Sequence, residues 1–485
     1  MIRGRFYRSI VGLIVVMPIL YWLVLFIAPE TFDHIWFWFW FAKVTPIPLW
    51  WLVLVPLILI LLLFYTVPQN VRSSFVALLL IALTGYAVQW SFALMEGRGV
   101  EAMTEKMLDA QIGHSAFARE AISSVDYGET IRTYYGQVKV DSLPRFPFAT
   151  KPPGHFLLYI ATNQVAEGLL GKQRGLEQQV EQLALFASFL WPLFTFLALF
   201  PMYGLARFFL AETESRATLI LYIFSPNIVL MTMHLDQCLL PLLFLTTLYL
   251  FMKGVTERML WLHGLAGIVA GIALFISFSM ITLFPLLALW HGGRELLTKK
   301  RKGDSWGRAL RRSAVSILQP LVLFAVGVLL VNGFFSIAYG YDPLAAYQLA
   351  HSEHSLWKIQ EWDIVRTIWV GILDIVEYAV WIGFPIVILA LLRSAISLKR
   401  LRTLRLRFSD PMILSLLVLF LLLSFFGKTV AETGRLWTFL LPLVLIIAVM
   451  GGGLFPVKIR KRLFVGILAL GLLHTFFLKW LQDFA

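Results

Sequence analysis

Apolar residues in this chain come in long unbroken blocks rather than in strand-like alternation. A helix that crosses a bilayer needs roughly 20 consecutive apolar residues at about 1.5 Å of rise each. Runs of that kind, bounded by charge, Pro or Gly, predict spans over 10–28, 47–66, 74–95, 182–206, 217–233, 237–252, 261–277, 279–293, 314–333, 375–393, 411–426, 436–456 and 463–479, about thirteen in all. The neighbouring runs 261–277 and 279–293 read either as one long tilted helix or as two short ones parted at Ser277–Ser279. The first run follows Arg3, Arg5 and Arg8, as a signal peptide would. It is long and has no clear small-x-small cleavage site after Ile27, so it reads as a retained helix.

The polar connections sort by sign. With the N-terminus inside, the inner segments are 1–9, 67–73, 207–216, 253–260, 294–313, 393–410 and 457–462. They hold 26 of the 41 Lys and Arg and 6 of the 28 Asp and Glu, a net of +20 against −7 elsewhere. That is the distribution the positive-inside rule demands. The overall charge of +13 is therefore read as an orientation signal near anionic lipid, not as a nucleic-acid surface. The chain is 59% hydrophobic and 14% charged, with a mean hydropathy of +0.79. Soluble chains carry about 25% charged residues, so too little polar surface exists here to face water. One cysteine, Cys238, excludes an intrachain disulfide and any multi-cysteine metal site. The inner side holds no P-loop or dinucleotide fingerprint; Gly451-Gly452-Gly453 lies inside a span, and no nucleotide cofactor is expected.

Chemistry is expected on the outer side, above all in the loop 96–181. Apolar positions at helical spacing (Met103, Met107, Leu108, Ile112, Phe117, Ile122) predict one or two amphipathic helices at the interface over 99–122. Pro144, Pro147 and then Pro152-Pro153-Gly154 end the helical pattern in a rigid turn. His155 to Leu170 reads as a juxtamembrane helix, because a further span there would invert every later loop. The acidic candidates of the loop are Glu96, Glu101, Asp126 and Asp141. A carboxylate above a hydrophobic floor is made more basic by desolvation, which suits a general base for a hydroxyl acceptor. Lys151 supplies a fixed cation beside them.

Lys151-Pro152-Pro153-Gly154-His155, closing a long outer loop rich in carboxylates, resembles the (H/K)PP(G/L) motif of GT-C glycosyltransferases. These include protein O-mannosyltransferases and the aminoarabinose transferases of lipid A. The resemblance covers roughly residues 74–290. It implies an all-α polytopic fold, a polyprenyl-phosphate sugar donor and a catalytic carboxylate in the first large outer loop. Two features depart from the family. Two extra spans come before the loop that would be the family's first, and no DE or DxD pair follows the preceding span, where Met95-Glu96-Gly97-Arg98 stands instead. The base is then Asp126 by preference, within Val125-Asp126-Tyr127, or Glu96.

Three further outer segments are candidates. His234-Leu235-Asp236-Gln237 could hold a divalent ion or clamp a phosphate; equally, Asp236 could simply cap the next helix. In Ala431-Glu432-Thr433-Gly434-Arg435, Glu432 and Arg435 are spaced to pair on a helix, and an Arg fork at the membrane boundary, with Lys428 nearby, matches a lipid phosphate. The loop 334–374 carries His351 and His354, read as substrate contacts or a polar lid, with Tyr347, Trp357 and Trp362 able to stack on a sugar or anchor at the interface.

The expected organisation is a two-helix extension (1–73), a GT-C-like module (74–293) and a C-terminal set of spans (294–485). The expected activity is sugar transfer from a polyprenyl-phosphate donor to a lipid, glycan or protein acceptor at the outer face of the cytoplasmic membrane. Transport of lipid-linked glycans is the rival reading; it calls for mid-span charges and internal repeats, of which few and none are evident.

Overall fold

The computed structural model describes residues 4–66, 73–108, 114–139, 145–301, 304–358, 363–426, 429–430 and 432–482. Among them every regular element is helical, and one isolated bridge joins Ala42 to Gln482. Hydrocarbon offers no partner to backbone N–H and C=O groups, so a helix, which satisfies them internally, is what an apolar run must become.

The chain opens with α1 (Gly4–Ile27) and α2 (Leu54–Thr66), and α3 (Ser74–Leu94) leads into the long loop. That loop is built of α4 (Glu101–Met107), α5 (His114–Ser123), α6 (Tyr127–Lys139), α7 (Arg145–Phe148) and α8 (Pro153–Leu170). The amphipathic pattern read over 99–122 becomes α4 and α5, which bury Met103, Met107 and Phe117. Asp141 and Ile112 lie outside the described residues.

Next come α9 (Leu176–Leu197) and α10 (Leu199–Ala206), nearly continuous, then α11 (Glu212–Ile223) and α12 (Pro226–Met231). The run 217–233 is thus two pieces, because Pro226 cannot donate to the preceding turn. After α13 (Leu235–Glu257) and α14 (Leu260–Ile276), Ser277 takes an extended conformation before α15 (Leu283–Arg301), so the two short runs are two helices.

The last third comprises α16 (Trp306–Tyr339), α17 (Pro343–Lys358), α18 (Ile364–Ile382), α19 (Phe384–Arg402), α20 (Asp410–Phe426), α21 (Thr433–Leu436), α22 (Leu441–Gly452) and α23 (Val457–Leu481). The single span expected over 375–393 is corrected here. It crosses the junction of α18 and α19, which bend by 119°. Gly383 sits there at φ 94°, a left-handed conformation open to glycine, and Pro385 follows it.

Among the described residues, six helices are long and apolar enough to cross a membrane, seven if the bent pair counts as one span, and four shorter apolar helices accompany them. Of the thirteen expected runs, 47–66, 261–277, 411–426 and 436–456 correspond to the four shorter helices, 217–233 is broken before Pro226, and 375–393 is bent at Gly383.

The two classes of connection gather at opposite ends. At one end, the Leu49 N–H donates to Met95 O, His234 reaches Lys106, Lys151 reaches Asp236 and Lys479 reaches Glu96. At the other, Ser74 meets Tyr203, Phe209 packs on Phe408, Arg294 lies over Phe408 and Arg460 faces Glu214. Segments assigned to one side by charge therefore touch one another.

Close helix contact depends on glycine where no side chain fits. A Cβ on Gly267 would lie 2.0 Å from the Phe324 carbonyl, and one on Gly327 would lie 2.2 Å from the Gly264 carbonyl, so α14 and α16 touch backbone to backbone. Gly267→Leu should force these helices apart and lower stability by about 1–3 kcal/mol. Gly264→Ala, whose Cβ would meet nothing within 4 Å, should be neutral or slightly stabilising. Thermal midpoints of the purified variants in detergent check the pair.

Candidate active site

The Lys151 turn is fixed by its own sequence. Pro152 is extended at φ −68° and ψ 159°, and Pro153 occupies the first turn of α8, where a missing N–H costs nothing. Gly154 packs on the end of α14: a Cβ there would stand 2.3 Å from the Phe275 carbonyl. Any other residue would push α8 off α14. From α6, Tyr134 donates its hydroxyl to Phe148 O at 3.1 Å, and Thr150 donates to Pro147 O at 2.7 Å, which holds the approach to the turn. Below it, Phe117, Phe148, Phe156, Tyr159 and Trp191 form a buried aromatic floor.

On this platform Lys151 Nζ donates to Asp236 Oδ2 at 2.6 Å. Asp236 is nearly buried, with 7% of its side chain exposed, while Lys151 keeps 22%. The first turn of α13 orients the carboxylate, since the Gln237 N–H donates to Asp236 Oδ1 at 3.0 Å. Asp236 thus accepts from a backbone N–H in the first turn of α13 and pairs with Lys151 at the same time.

Beside the pair is a group of imidazoles. His234 Nε2 donates to the Lys106 carbonyl at 2.6 Å, and its ring stacks on His114 at 3.9 Å between centroids. His114 Nδ1 bonds the Tyr159 hydroxyl at 2.7 Å. His155 is fully buried against Phe117, and neither ring nitrogen has a hydrogen-bond partner. Burial, and then Lys151, push the His155 imidazole down to about 3. Burial, and then His234, hold His114 well below its ordinary value. Both are neutral at neutral pH.

Glu96 is set apart by its partners. Burial raises its carboxyl, but Lys479 and Lys106, aided by Arg98, outweigh that and hold it at about 2. Lys479 donates to one oxygen, Arg98 to the other at 2.7 Å, and Lys106 lies 3.7 Å away. A carboxylate so stabilised is a weak base. It fastens α23 and the start of the first loop to each other.

Asp126 is exposed and caps α6, accepting from the Glu129 N–H at 2.8 Å. Its neighbour Tyr127 bonds Gln164, eleven residues along α8 from Pro153 and hence roughly 16 Å from the turn.

The segment around Arg435 joins the same end through α12. Asn227 donates to Gly434 O at 3.3 Å, and α12 is roughly 9 Å long, which sets the interval to His234. Arg435 pairs with Glu432 at 2.9 Å, the expected i,i+3 contact. The Gly434 N–H donates to Glu377 at 3.0 Å, and a Cβ on Gly434 would strike Trp381. Lys428 lies outside the described residues.

His351, exposed on α17, has its ring 6.0 Å from Tyr347, which packs edge-on against Phe278 near the α14 end that carries Gly154. His354 and Trp357 are on α17, but their side chains, like the whole of Trp362, lie outside the described residues.

The structure therefore brings Lys151, His155, His234 and Asp236 together, with Glu96 at the margin, and leaves Asp126 apart. Sequence reading missed His114, Tyr159, Lys106 and Lys479. Lys479 alone had a signal, an ionisable residue at the end of an apolar run. Among the described residues, no three His, Cys, Asp or Glu side chains converge as metal ligands. His234 and Asp236 turn to different partners, so the donor set does not fit an ion.

A bundle of apolar helices with a partly buried cation–carboxylate pair on an aromatic floor defines an all-α polytopic membrane protein with a polar site at one end of the bundle. Residues 176–304 match the family model described as dolichyl-phosphate-mannose-protein mannosyltransferase, a GT-C superfamily member, in agreement with the resemblance carried by the Lys151 turn. A search of curated proteins returns no match. The matched stretch runs from α9 to just beyond α15 and includes His234 and Asp236. Over that stretch the chain is similar to a family of membrane glycosyltransferases.

Two effects of pH act in one direction. The His155 imidazole is depressed from its ordinary 6.5 to about 3, so the unfolded chain binds the extra proton between those values. The Glu96 carboxyl is depressed from 4.5 to about 2, and its contribution, full above 4.5, is lost as pH falls toward 2. Stability should fall from pH 7 to pH 3. His155→Phe should flatten the upper part of that fall and leave the midpoint at pH 7 unchanged or higher, since it removes two buried unpaired nitrogens. Glu96→Gln should lower stability at pH 7 and flatten the lower part. Thermal midpoints across pH check both.

Proposed function

We propose that the protein transfers a sugar from a polyprenyl-phosphate donor to a hydroxyl acceptor at the outer face of the cytoplasmic membrane, with the donor's lipid tail between helices. The observation that carries this reading is the Lys151–Asp236 pair: a partly exposed cation and a buried carboxylate on a rigid turn at the membrane boundary. The family match supports the donor class and favours transfer over transport. The basic residues gathered at the opposite end support the orientation.

In this mechanism the donor phosphate takes Lys151 from Asp236. A buried carboxylate that loses its cation is costly, and its affinity for a proton rises. The acceptor hydroxyl gives its proton to Asp236 as its oxygen bonds the anomeric carbon. The bond from that carbon to the phosphate oxygen breaks, with inversion, and the lipid phosphate leaves with its charge against Lys151. Arg435, one short helix away, is a second phosphate contact. Asp236 thereby takes the role that sequence reading gave to Asp126 or Glu96. The first of these is remote and exposed, and the second is committed to three cations.

Transfer from a polyprenyl-phosphate mannose donor by the purified protein tests the assignment. Asp236→Asn should lower transfer by about 10²-fold or more, and Lys151→Met should weaken donor binding as well as turnover. Asp126→Asn should keep transfer within a few-fold of wild type. Full transfer by Asp236→Asn, with loss in Asp126→Asn, would overturn the assignment.

A further inference from the structure

At the end opposite the Lys151 turn, α11, α19, α22 and α23 enclose a cavity of about 280 Å³. An apolar cavity of about 150 Å³ already admits benzene. The inner wall is hydrocarbon: Leu221, Ile386, Leu389, Phe464 and Ile467. Glycine makes the space. A Cβ on Gly451 would lie 2.2 Å from the Leu389 carbonyl, so α22 and α19 are drawn together at that level. The next two residues, Gly452 and Gly453, line the cavity without side chains, and a Cβ on Gly452 would meet only Leu389 Cδ1, at 4.0 Å.

The mouth is polar and built. Arg460 donates through Nε to Phe455 O at 2.8 Å and through Nη2 to Gly453 O at 2.6 Å, which fixes its guanidinium at the opening. Its Nη1 is 4.0 Å from Glu214. Lys461 shares the rim, and Lys458 and Arg462 belong to the same stretch of α23. Four cations thus crowd the start of a 25-residue helix. The helix macrodipole is positive there too, so this end attracts anions, Glu214 among them. Glu214 is partly engaged with the Ala211 N–H at the start of α11, and Glu212 with Arg216.

We propose that this cavity binds one anionic phospholipid from the leaflet on the basic side, with an acyl chain against the glycine-lined wall and its phosphate at Arg460 and Lys461. Charge complementarity selects the occupant: a basic opening between membrane helices suits an anionic headgroup, and the interior suits an acyl chain. The site is separate from the transferase reading and does not depend on it.

Native mass spectrometry of the full-length protein in detergent, titrated with phosphatidylglycerol and phosphatidylcholine of matched chains, tests this. Wild type should retain one phosphatidylglycerol, at least tenfold in preference to phosphatidylcholine. Gly452→Leu, which fills the cavity, should lower that retention about tenfold. Lys461→Glu, a surface change that spares the packing, should bring the preference for the anionic lipid close to one. Equal retention of the two lipids by wild type would overturn the proposal. So would undiminished preference in Lys461→Glu, or displacement of phosphatidylglycerol by an equal concentration of polyprenyl phosphate.

Discussion

Charge is poorly tolerated in hydrocarbon, and the architecture of this protein follows from where its charges go. Two ionic groups at one end of the bundle find partners from distant parts of the chain: Lys479 for Glu96, 383 positions away, and Lys151 for Asp236, 85 positions away. Arg393 and Asp410, at 2.7 Å, do the same between α19 and α20. A buried pair adds little net stability beyond an apolar replacement, but breaking one strands a charge. These pairs therefore decide which segments adjoin. They tie the first loop to α13 at one point and to the last helix at another.

The Pro-Pro-Gly turn shows how few residues suffice to place a functional group. Two prolines start α8 without spending a hydrogen bond, and a glycine lets its first turn rest on the α14 backbone. The lysine before them is then aimed at α13, where Asp236 waits. The motif is a packing device as much as a chemical one, and the chemistry of Lys151 depends on α14 and α13 being where they are.

Much of this was legible in the chain beforehand. The helical character of the apolar runs, the amphipathic pieces of the first loop and the meeting of the Lys151 turn with the His234–Asp236 hairpin all agree with the pattern of residues. The bend at Gly383 was not legible, because a glycine within an apolar run is common and its left-handed conformation is imposed by neighbours. Nor was the division of labour among the carboxylates. Glu96 and Asp126 look alike in a loop. One is enclosed by Lys479, Lys106 and Arg98, and the other caps a helix in the open.

What the sequence determined by itself is whatever depends on local composition: which stretches become apolar helices, which connections carry positive charge, and that a rigid cationic turn closes a long polar loop. These follow from the transfer energies of side chains and from backbone restrictions, which need no knowledge of neighbours. Tertiary structure alone decided which carboxylate faces Lys151, which histidines are sealed and neutral, and where glycines leave a cavity between helices. Those outcomes are set by burial and by partners tens to hundreds of positions away, and no local pattern encodes them.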